Sequence, residues 1–354
     1  MLKFKIGKKT ISNTSPTYFI ADIAANHDGN LEKAKELIYL CAEAGADAAK
    51  FQHFSADTIV SDFGFRSLGS KFSHQSKWKK SVFEVYKDAS INLKWTKELK
   101  KTCKKAGIDF FSSPYSISMV DHLEPYVPAY KIGSGDITWL EIISHISKKN
   151  KPVIIATGAS TLREVKDAIN TIKKSNKKIV LMQCNTNYTA SNENFKFINL
   201  NVLKEYKKQF PKVILGLSDH THGHATVLGS VALGARVVEK HFTDNNYRTG
   251  PDHKFSMNSK TWREMIDATR DLEISMGDGI KRIEKNEKET VVLQRRAIRL
   301  KKSKSKNQRL TKDDLIFLRP SPKDALPIND YKKILGKKIK RNMKLGDYVK
   351  KSDF

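Results

Sequence analysis

Two histidines, His220 and His241, each stand just after a short apolar run of strand length, over residues 214–218 and 235–239. In a parallel sheet or barrel the carboxyl ends of neighbouring strands lie side by side on the ligand-binding face, so we expect the two imidazoles to be close together. Two neutral imidazoles placed in this way can hold one divalent ion and leave most of its coordination sphere open. Either histidine alone would be interpreted as a loop residue, but the pair, with aspartates beside it, predicts a metal site.

The ends of the other predicted strands are also rich in polar side chains. Lys50 and Lys131, with serine hydroxyls near them, form a cradle suited to a phosphate and a carboxylate. Either lysine could instead be a surface residue or, if buried, could form an imine with a carbonyl substrate as aldolases do. The strand-end residues in chain order are Asp22, Asn26, His27, Lys50, Gln52, Ser112, Ser113, Tyr115, Lys131, Ser134, Asp136, Thr157, Thr186, Asn187, Tyr188, Ser218, Asp219, His220, His241, Asp244 and Asp252.

The other histidines near these strand ends allow further interpretations. The run HTHGH could form a separate metal site from His220, His222 and His224. Because Gly223 breaks this run, the sequence favours His220 as its single ligand. His27 has two open interpretations, a structural loop histidine and a wall of the active site.

Apolar runs of strand length recur eight times along the chain, and helical patterns lie between most of them. These patterns have apolar residues at i, i+3 and i+4 spacing, and one of them, over residues 31–44, ends at Gly45. Eight strands alternating with helices predict an α/β fold, a (β/α)8 TIM barrel, with a doubly wound open sheet as the alternative. The predicted strands cover residues 18–24, 48–54, 109–113, 129–133, 152–157, 178–184, 213–218 and 235–241.

Three segments lie outside this alternation. Residues 4–11 are expected to form a small hairpin at the bottom of the barrel. Residues 55–92 form an unusually long connection, of a kind that often walls a substrate, with a short helix expected near residues 82–86. Within it, His74 and Trp78 are interpreted as packing residues. The expected domains are a TIM barrel over residues 1–280, a linker over 281–295 and a small, mostly β module over 296–354.

Composition limits the class of protein. No apolar run approaches the ~18 residues of a membrane span, and the N-terminus lacks the apolar region of a signal peptide. The three cysteines lie far apart without a CxxC motif, which indicates a reducing compartment. The net charge of +27 comes mostly from lysines spread along the chain, which favours a solvated surface serving anionic small molecules. We therefore expect a cytoplasmic protein without a nucleic-acid or membrane partner.

The segments that carry these residues resemble the sialic acid synthase family, phosphoenolpyruvate-dependent synthases of nine-carbon 2-keto sugar acids. The resemblance covers nearly the whole chain, in order and at appropriate spacing. The segments LTKDDLIFLRP and LGKKIKRNMKLGDYVKKSD look like the family's C-terminal antifreeze-like (SAF) domain. The barrel segments that carry the resemblance are IADIAANHDGNLEKAKELI, AGADAAKFQ, FFSSPY, PAYKIGSGD, PVIIATGAS, GLSDHT, GARVVEKHFTD and GPDHKFSM.

The resemblance implies a role for each matching residue. His220 and His241 match two metal ligands, usually for Mn²⁺, with Mg²⁺ or Co²⁺ as alternatives. Arg319 matches an arginine that the SAF domain of one subunit inserts into the active site of its partner, which implies a domain-swapped homodimer. The residues that match phosphoenolpyruvate-binding positions are Lys50, Ser113, Lys131, Ser134 and Ser218. The residues that match acceptor-facing positions are Gln52, Tyr188, Asp252 and Asp136, with Thr186 beside them.

Three departures from the family pattern lie near the acceptor. Asp22 and Asp136 stand where glutamate is usual, so each carboxylate is shorter by one methylene. In QCNTNYTAS, Thr186 replaces the more common asparagine or serine, and Ala190 follows Thr189 where proline is usual. The connection over residues 55–92 has no close counterpart. The resemblance therefore implies the chemistry more firmly than it implies the sugar.

By this resemblance the chain is expected to be a metal-dependent, C–C bond-forming transferase of sialic acid and carbohydrate biosynthesis. It would condense phosphoenolpyruvate with an open-chain N-acyl amino sugar, N-acetylmannosamine being the first candidate, and with water, giving an N-acetylneuraminate-type acid and phosphate. Asp22 and Asp136 would stabilise positive charge at C2 and activate the water. The alternatives are legionaminate or pseudaminate synthesis, an imine-forming pyruvate aldolase, and a non-catalytic anion-binding protein.

Overall fold

The eight apolar runs form the eight parallel strands of one nearly closed barrel, which confirms the predicted fold class. The structure is a computed structural model that describes residues 2–70, 75–76 and 78–354. The chain divides into two units, the first ending at Gly277 and the second running from Asp278 to Phe354. The strands are β1 (Lys3–Ile6), β2 (Lys9–Ser12), β3 (Tyr18–Asp22), β4 (Ala48–His53), β5 (Asp109–Pro114), β6 (Tyr130–Ile132), β7 (Val153–Ala156), β8 (Ile179–Cys184), β9 (Ile214–Asp219), β10 (Ala235–His241), β11 (Ala297–Leu300) and β12 (Leu315–Leu318).

The barrel has the strand order β5-β4-β3-β10-β9-β8-β7-β6, and β5 and β6 at the two ends of this order are in contact with each other. Its strands are buried almost throughout, which is why they appear in the sequence as continuous apolar runs rather than as alternating ones. All eight strands point the same way, so their carboxyl ends meet at one face of the barrel.

Helices connect consecutive strands at the places where the sequence has a helical period, and local signals fix their ends. Thr161 and Glu164 form a capping box that begins one helix, and Gly107, at a φ of 78°, ends another. The helices are α1 (Leu31–Glu43), α2 (Ala56–Ile59), α3 (Asp62–Ser67), α4 (Val82–Ala89), α5 (Thr96–Ala106), α6 (Ile117–Leu123), α7 (Leu140–Lys148), α8 (Leu162–Lys173), α9 (Val202–Gln209), α10 (Ala225–Ala232), α11 (Ser259–Ser275) and α12 (Lys288–Gln294).

The predicted N-terminal hairpin forms from β1 and β2 and closes the end of the barrel opposite to the carboxyl ends of the strands. Phe4, Ile6 and Ile11 of the hairpin pack against Tyr18 and Ile20 of β3 in one buried cluster with other barrel residues. That end of the barrel is therefore filled by apolar side chains, and the polar residues collect at the opposite end.

The long connection after β4 contains the expected short helix, α4, which begins at a capping box of Ser81 and Glu84. Two further helices, α2 and α3, were not predicted, because each is too short to show a helical period. His74 lies outside the described residues, so its predicted packing role stays a prediction. Trp78 lies near Tyr86 of α4, with the ring centroids 6.5 Å apart.

The second unit has a core of its own around the antiparallel pair of β11 and β12. Ile298, Leu310, Ile339 and Val349 are fully buried in it. Within residues 281–295, where the sequence predicts a linker, the structure has α12. Along the described ranges of the chain, we find no helix that combines the length and apolarity needed to cross a bilayer.

Candidate active site

The carboxyl ends of β3 and β4 bring Asp22 and Lys50 together. The Nζ atom of Lys50 lies 2.6 Å from Oδ2 of Asp22, and both side chains are buried. Burial alone favours a neutral lysine, but Asp22 and Glu239 outweigh it and raise the pKa of Lys50. Burial raises the pKa of Asp22, and Lys50 opposes that rise. Lys50 is therefore a fixed cation at the centre of the barrel mouth.

Glu239 of β10 links the two predicted lysines, although the sequence analysis did not place it in the site. Its Oε1 lies 3.2 Å from Nζ of Lys131 and accepts a 3.2 Å hydrogen bond from Oγ of Ser218, while its Oε2 is 3.7 Å from Nζ of Lys50. Burial would raise the pKa of Glu239, but Lys131 and Lys50 outweigh it and lower this pKa. The two lysines and the two acids form one buried network whose formal charges cancel.

His220 and His241 are brought together as predicted, with ring centroids 5.4 Å apart. Burial lowers the pKa of His220 to about 4 and that of His241 to about 3, and for His241 the neighbouring Lys50 adds to the effect. Both imidazoles are therefore neutral at physiological pH. Neutrality is what a metal ligand requires, because only the neutral ring offers a lone pair.

The free ring nitrogens of this pair fit a metal ion. Nδ1 of His220 lies 2.8 Å from the carbonyl oxygen of Asn185, which can only accept a hydrogen bond, so Nε2 carries the lone pair. In the described part of the chain, Nδ1 of His241 is buried without a hydrogen-bond partner, and its Nε2 is 3.5 Å from Asp22. No group of three or more His, Cys, Asp or Glu side chains among the described residues is arranged to hold a metal, so a metal bound here would have only these two histidines as its side-chain ligands of that kind.

A buried ion pair on the opposite side of the same strands holds the two histidines in register. Nζ of Lys240, next to His241, lies 2.5 Å from Oδ2 of Asp219, next to His220, and also donates to the carbonyl oxygen of Thr221. Asp219 further accepts hydrogen bonds from Thr221 and Thr226. Because side chains alternate along a strand, this pair faces the helices while the histidines face the barrel mouth.

The predicted serines surround a small polar cavity of about 40 Å³ between the lysines and the histidines. Ser134 accepts a hydrogen bond from the backbone N–H of Gly158 at 2.9 Å. As far as the described residues go, Oγ of Ser113 is buried and has no partner, so it remains available to a ligand. The cavity is lined by Lys50, Lys131, Ser113, Ser134, Ser218 and Glu239, together with both histidines.

Three of the predicted acceptor-facing residues, Gln52, Tyr188 and Asp252, line a second cavity that adjoins His241. Tyr188 packs against the two histidines, with its ring centroid 4.4 Å from that of His220. Burial raises the pKa of Asp252 to about 7 and that of Asp136 to about 6. Asp136 lines neither of these two cavities, but it lies nearby, because its charge adds to burial in raising the pKa of Tyr115 and of Tyr86.

The shifted pKa of Asp252 predicts a pH-dependent stability of the protein without ligands. The folded protein keeps this proton up to about pH 7, whereas the unfolded chain loses it near pH 4. Unfolding therefore releases a proton between these values, so the stability contributed at this site falls as the pH rises from about 4 to 7 and is constant above. We expect Asp252→Asn to gain in melting temperature relative to the wild type across this range. A difference that does not change with pH would contradict the assignment.

The remaining predicted residues lie outside these cavities. Thr186 follows β8, and its methyl group lies against Gly158, where an added Cβ would come within 2.4 Å of it. Arg319 follows β12 in the second unit and is exposed.

His27 is buried against Trp95 and Phe51 and accepts a hydrogen bond from the N–H of Gly29, which favours the structural interpretation. Nε2 of His222 is 2.8 Å from the carbonyl oxygen of Ala190, away from the pair.

A signal for Glu239 was present in the sequence. Residues two apart on a strand share a face, so if His241 points into the barrel mouth, Glu239 must point there too. By the same rule, Ser218 shares a face with His220, and Lys50 shares a face with Gln52. Phe255, whose ring centroid lies 4.8 Å from that of His241, had no comparable signal because it lies in a short 3-10 turn, His253–Phe255, outside the strands.

Comparisons with known proteins identify the family to which the chain is similar. The NeuB family model matches residues 37–281, and the SAF domain model matches residues 295–354. The chain is 35% identical to N,N'-diacetyllegionaminic acid synthase of Campylobacter jejuni over 94% of this chain and 99% of that protein. It is 32% identical to pseudaminic acid synthase of the same species, over 95% and 96%. The N-acetylneuraminic acid synthetase of Leptospira borgpetersenii, solved with citrate, superposes with a TM-score of 0.71 at 26% identity, covering 82% of this chain and 95% of that one.

Proposed function

The chain belongs to the NeuB family and carries a C-terminal SAF domain, and we propose that it condenses phosphoenolpyruvate with an N-acyl amino sugar to form a nine-carbon sugar acid and phosphate. The observation that carries this proposal is the buried network of Lys50, Asp22, Glu239 and Lys131 beside two neutral histidines. N-acetylmannosamine, the first candidate from the sequence, and acceptors with two acylamino groups both belong to this substrate class.

Phosphoenolpyruvate binds in the cavity between the lysines. Lys50 and Lys131 contact its carboxylate and phosphate, and the hydroxyls of Ser113, Ser134 and Ser218 complete the cradle. Glu239 holds both ammonium groups in place before the anion arrives. Because the buried lysines are already balanced by Asp22 and Glu239, the cavity needs further positive charge to hold a multiply charged anion.

The two histidines are the residues that would hold a cation carrying this additional positive charge. His220 and His241 would hold a divalent ion, Mn²⁺ being the first expectation and Mg²⁺ or Co²⁺ the alternatives. When bound, such an ion supplies Lewis acidity for the acceptor carbonyl. Tyr188 and Phe255 pack against the rings of both histidines and limit their movement.

The reaction forms one carbon–carbon bond and one carbon–oxygen bond, and it breaks the carbon–oxygen bond between C2 and the phosphate. C3 of phosphoenolpyruvate attacks the aldehyde carbon, whose oxygen takes a proton from solvent and becomes a hydroxyl, and positive charge develops at C2. Asp22 and Glu239, both lining the cavity, stabilise that charge. Water adds at C2 and gives its proton to Asp22, whose raised pKa suits a proton acceptor. Loss of phosphate from C2 then leaves the 2-keto acid.

Phosphate release from phosphoenolpyruvate in the presence of Mn²⁺, measured across a panel of N-acyl amino sugars, tests this proposal. We expect release that depends on the acceptor, together with a product whose mass equals acceptor plus phosphoenolpyruvate plus water minus phosphoric acid. Absence of release with every acceptor would contradict it. An imine formed through Lys50 is disfavoured because the pKa of Lys50 is raised, which keeps its nitrogen protonated. Borohydride trapping with pyruvate separates the two mechanisms.

The role implied for Arg319 makes a separate prediction about assembly. If Arg319 of one subunit completes the site of its partner in a domain-swapped homodimer, Arg319→Ala and His241→Ala damage the same site of a mixed dimer and leave its other site intact. Each variant alone is expected to be nearly inactive. When an equal mixture is dissociated and reassociated, half of the dimers contain one subunit of each variant, and one of the two sites in each of these dimers is intact. The mixture is therefore expected to regain about a quarter of wild-type activity. A mixture no more active than the two separate variants would contradict a shared site.

A further inference from the structure

Two cavities of the barrel mouth meet at four side chains. The anion cavity, of about 40 Å³, lies between the lysines, and the acceptor cavity, of about 160 Å³, reaches Asp252. Among the described residues, those that line both cavities are Gln52, Tyr115, Tyr188 and His241. The carbon–carbon bond must form at this junction, because there C3 of phosphoenolpyruvate meets the acceptor aldehyde. Three of the four side chains match acceptor or metal positions, whereas Tyr115 has no assigned role.

The two ends of the Tyr115 side chain face different cavities. Its hydroxyl oxygen lies 3.2 Å from the position that a Cβ added to Gly133 would take, and Gly133 lines the anion cavity but not the acceptor cavity. Its ring packs edge-on against Phe54, with centroids 5.9 Å apart, and Phe54 lines the acceptor cavity but not the anion cavity. The hydroxyl therefore points towards the anion cavity, while the ring forms part of the acceptor wall.

Gly133 leaves room for this hydroxyl. The φ of Gly133 is −68°, a value that any residue adopts, so the backbone does not require glycine at this position. An added Cβ would instead crowd Tyr115, at 3.2 Å from its hydroxyl oxygen and 3.6 Å from its ring. Gly133 directly follows β6 and Tyr115 directly follows β5, so the missing side chain lets the tyrosine lie across the end of the neighbouring strand.

Two hydroxyls at the end of β5 have no partner within the chain. As far as the described residues go, the hydroxyl of Tyr115 makes no hydrogen bond, and Oγ of Ser113 is buried without one. The N–H of Tyr115 still donates to the carbonyl oxygen of His53, so the strand pattern continues and both side chains face the barrel mouth. Polar groups in such a place need a ligand or water to satisfy them. The oxygens of an anion in the cavity would satisfy both hydroxyls.

The hydroxyl of Tyr115 is a hydrogen-bond donor at physiological pH. Burial raises the pKa of Tyr115 well above its usual value, and the nearby carboxylates of Asp136 and Asp22 add to the rise. The neutral hydroxyl therefore keeps its proton and adds no negative charge to a cavity that has to hold an anion. Its donor strength is greatest towards a charged oxygen, because such hydrogen bonds are about twice as strong as those between neutral groups.

We propose that Tyr115 is a further substrate-binding residue of this enzyme, whose hydroxyl donates a hydrogen bond to an anionic oxygen of phosphoenolpyruvate. The inference rests on the proposed function and adds a contact to its anion cavity. Because the ring belongs to the acceptor wall, the hydroxyl and the ring have separable effects. Loss of the hydroxyl alone weakens binding of phosphoenolpyruvate and leaves the acceptor cavity intact.

Tyr115→Phe tests the contact, because phenylalanine keeps the ring and removes only the hydroxyl. We expect the dissociation constant for phosphoenolpyruvate, measured by calorimetry with Mn²⁺ and without acceptor, to rise about tenfold. KM for the acceptor should stay within about twofold of the wild-type value, since the ring still lines its cavity. Tyr18→Phe, which removes a buried hydroxyl at the opposite end of the barrel, is the matched control and should keep wild-type affinity.

The outcomes separate the inference from the proposed function. Unchanged affinity for phosphoenolpyruvate in Tyr115→Phe would overturn the role of the hydroxyl while the proposed function stands. A weaker affinity in Tyr18→Phe equal to that in Tyr115→Phe would also overturn it, because the effect would then come from a general loss of stability. A wild-type protein that does not bind phosphoenolpyruvate would instead contradict the proposed function.

Gly133→Ala tests where the hydroxyl lies. The added methyl group displaces the hydroxyl of Tyr115, so we expect the dissociation constant for phosphoenolpyruvate to rise about threefold in the wild-type background. In the Tyr115→Phe background no hydroxyl contact is left to lose, so the same substitution should have a smaller effect. Such non-additivity is the behaviour of two residues that share one interaction. Equal factors in the two backgrounds would contradict the position assigned to the hydroxyl.

Discussion

Replacing His241 by alanine is expected to lower kcat at least about 10³-fold, because a ligand worth several kcal/mol of carbonyl polarisation is lost. The same variant should lose tight Mn²⁺ binding, measured by calorimetry or by electron paramagnetic resonance of the free ion. The variant should stay folded, because His241 is the last residue of β10 and its Nδ1 atom has no hydrogen-bond partner among the described residues. The substitution therefore removes no hydrogen bond of Nδ1 that stabilises the fold.

The charge of the site predicts that this variant also binds phosphoenolpyruvate more weakly. Lys50 and Lys131 are balanced by Asp22 and Glu239, so the anion depends on the charge held at the histidines. We therefore expect affinity for phosphoenolpyruvate to fall in His241→Ala, and to fall to the same extent when the wild type is treated with a chelator. His222→Ala, which removes an exposed histidine of the same loop, is the control and should remain within twofold of the wild type. Full activity of His241→Ala after chelation and metal addition would show that the metal role is wrong.

The barrel could be predicted from the sequence because a strand buried on both faces requires an unbroken apolar run. The observed strands begin and end close to those runs, and the paired histidines follow from the parallel order of the strands. Helix α6 was missed because it spans only Ile117–Leu123, less than the length at which a helical period is visible. The helices α2 and α3 were missed for the same reason.

The electrostatics of the site could not be predicted in the same way. Whether Lys50 is a cation or an imine-forming amine depends on Asp22 and Glu239, which reach it from two other strands. The raised pKa of Asp252 arises from burial that exists only once the loop after β10 has folded over the barrel mouth. Such shifts depend on contacts between residues far apart in the chain, and residue types alone do not fix them.

Glu239→Gln is expected to reduce kcat by about 10²-fold or more without raising KM for phosphoenolpyruvate. Glutamine keeps the shape of the side chain but removes the negative charge that faces both lysines and the developing cation at C2. A more positive cavity binds the anion at least as well in the ground state, whereas the transition state loses its counter-charge. A fall in kcat with an unchanged or lower KM is the signature of an interaction made mainly in the transition state.

A loss of stability could mimic part of this result, and a second buried acid separates the two explanations. Asp47 lies just before β4, at the end of the barrel away from the site, where its Oδ2 accepts a 2.7 Å hydrogen bond from the N–H of Phe19. Asp47→Asn is expected to lower the melting temperature while leaving kcat near the wild-type value, because it removes the ion pair with Lys9 and weakens the hydrogen bond from Phe19 without touching the cavity. If Glu239→Gln instead raises KM for phosphoenolpyruvate and leaves kcat unchanged, Glu239 only positions the lysines for binding, and the charge that stabilises C2 must come from Asp22.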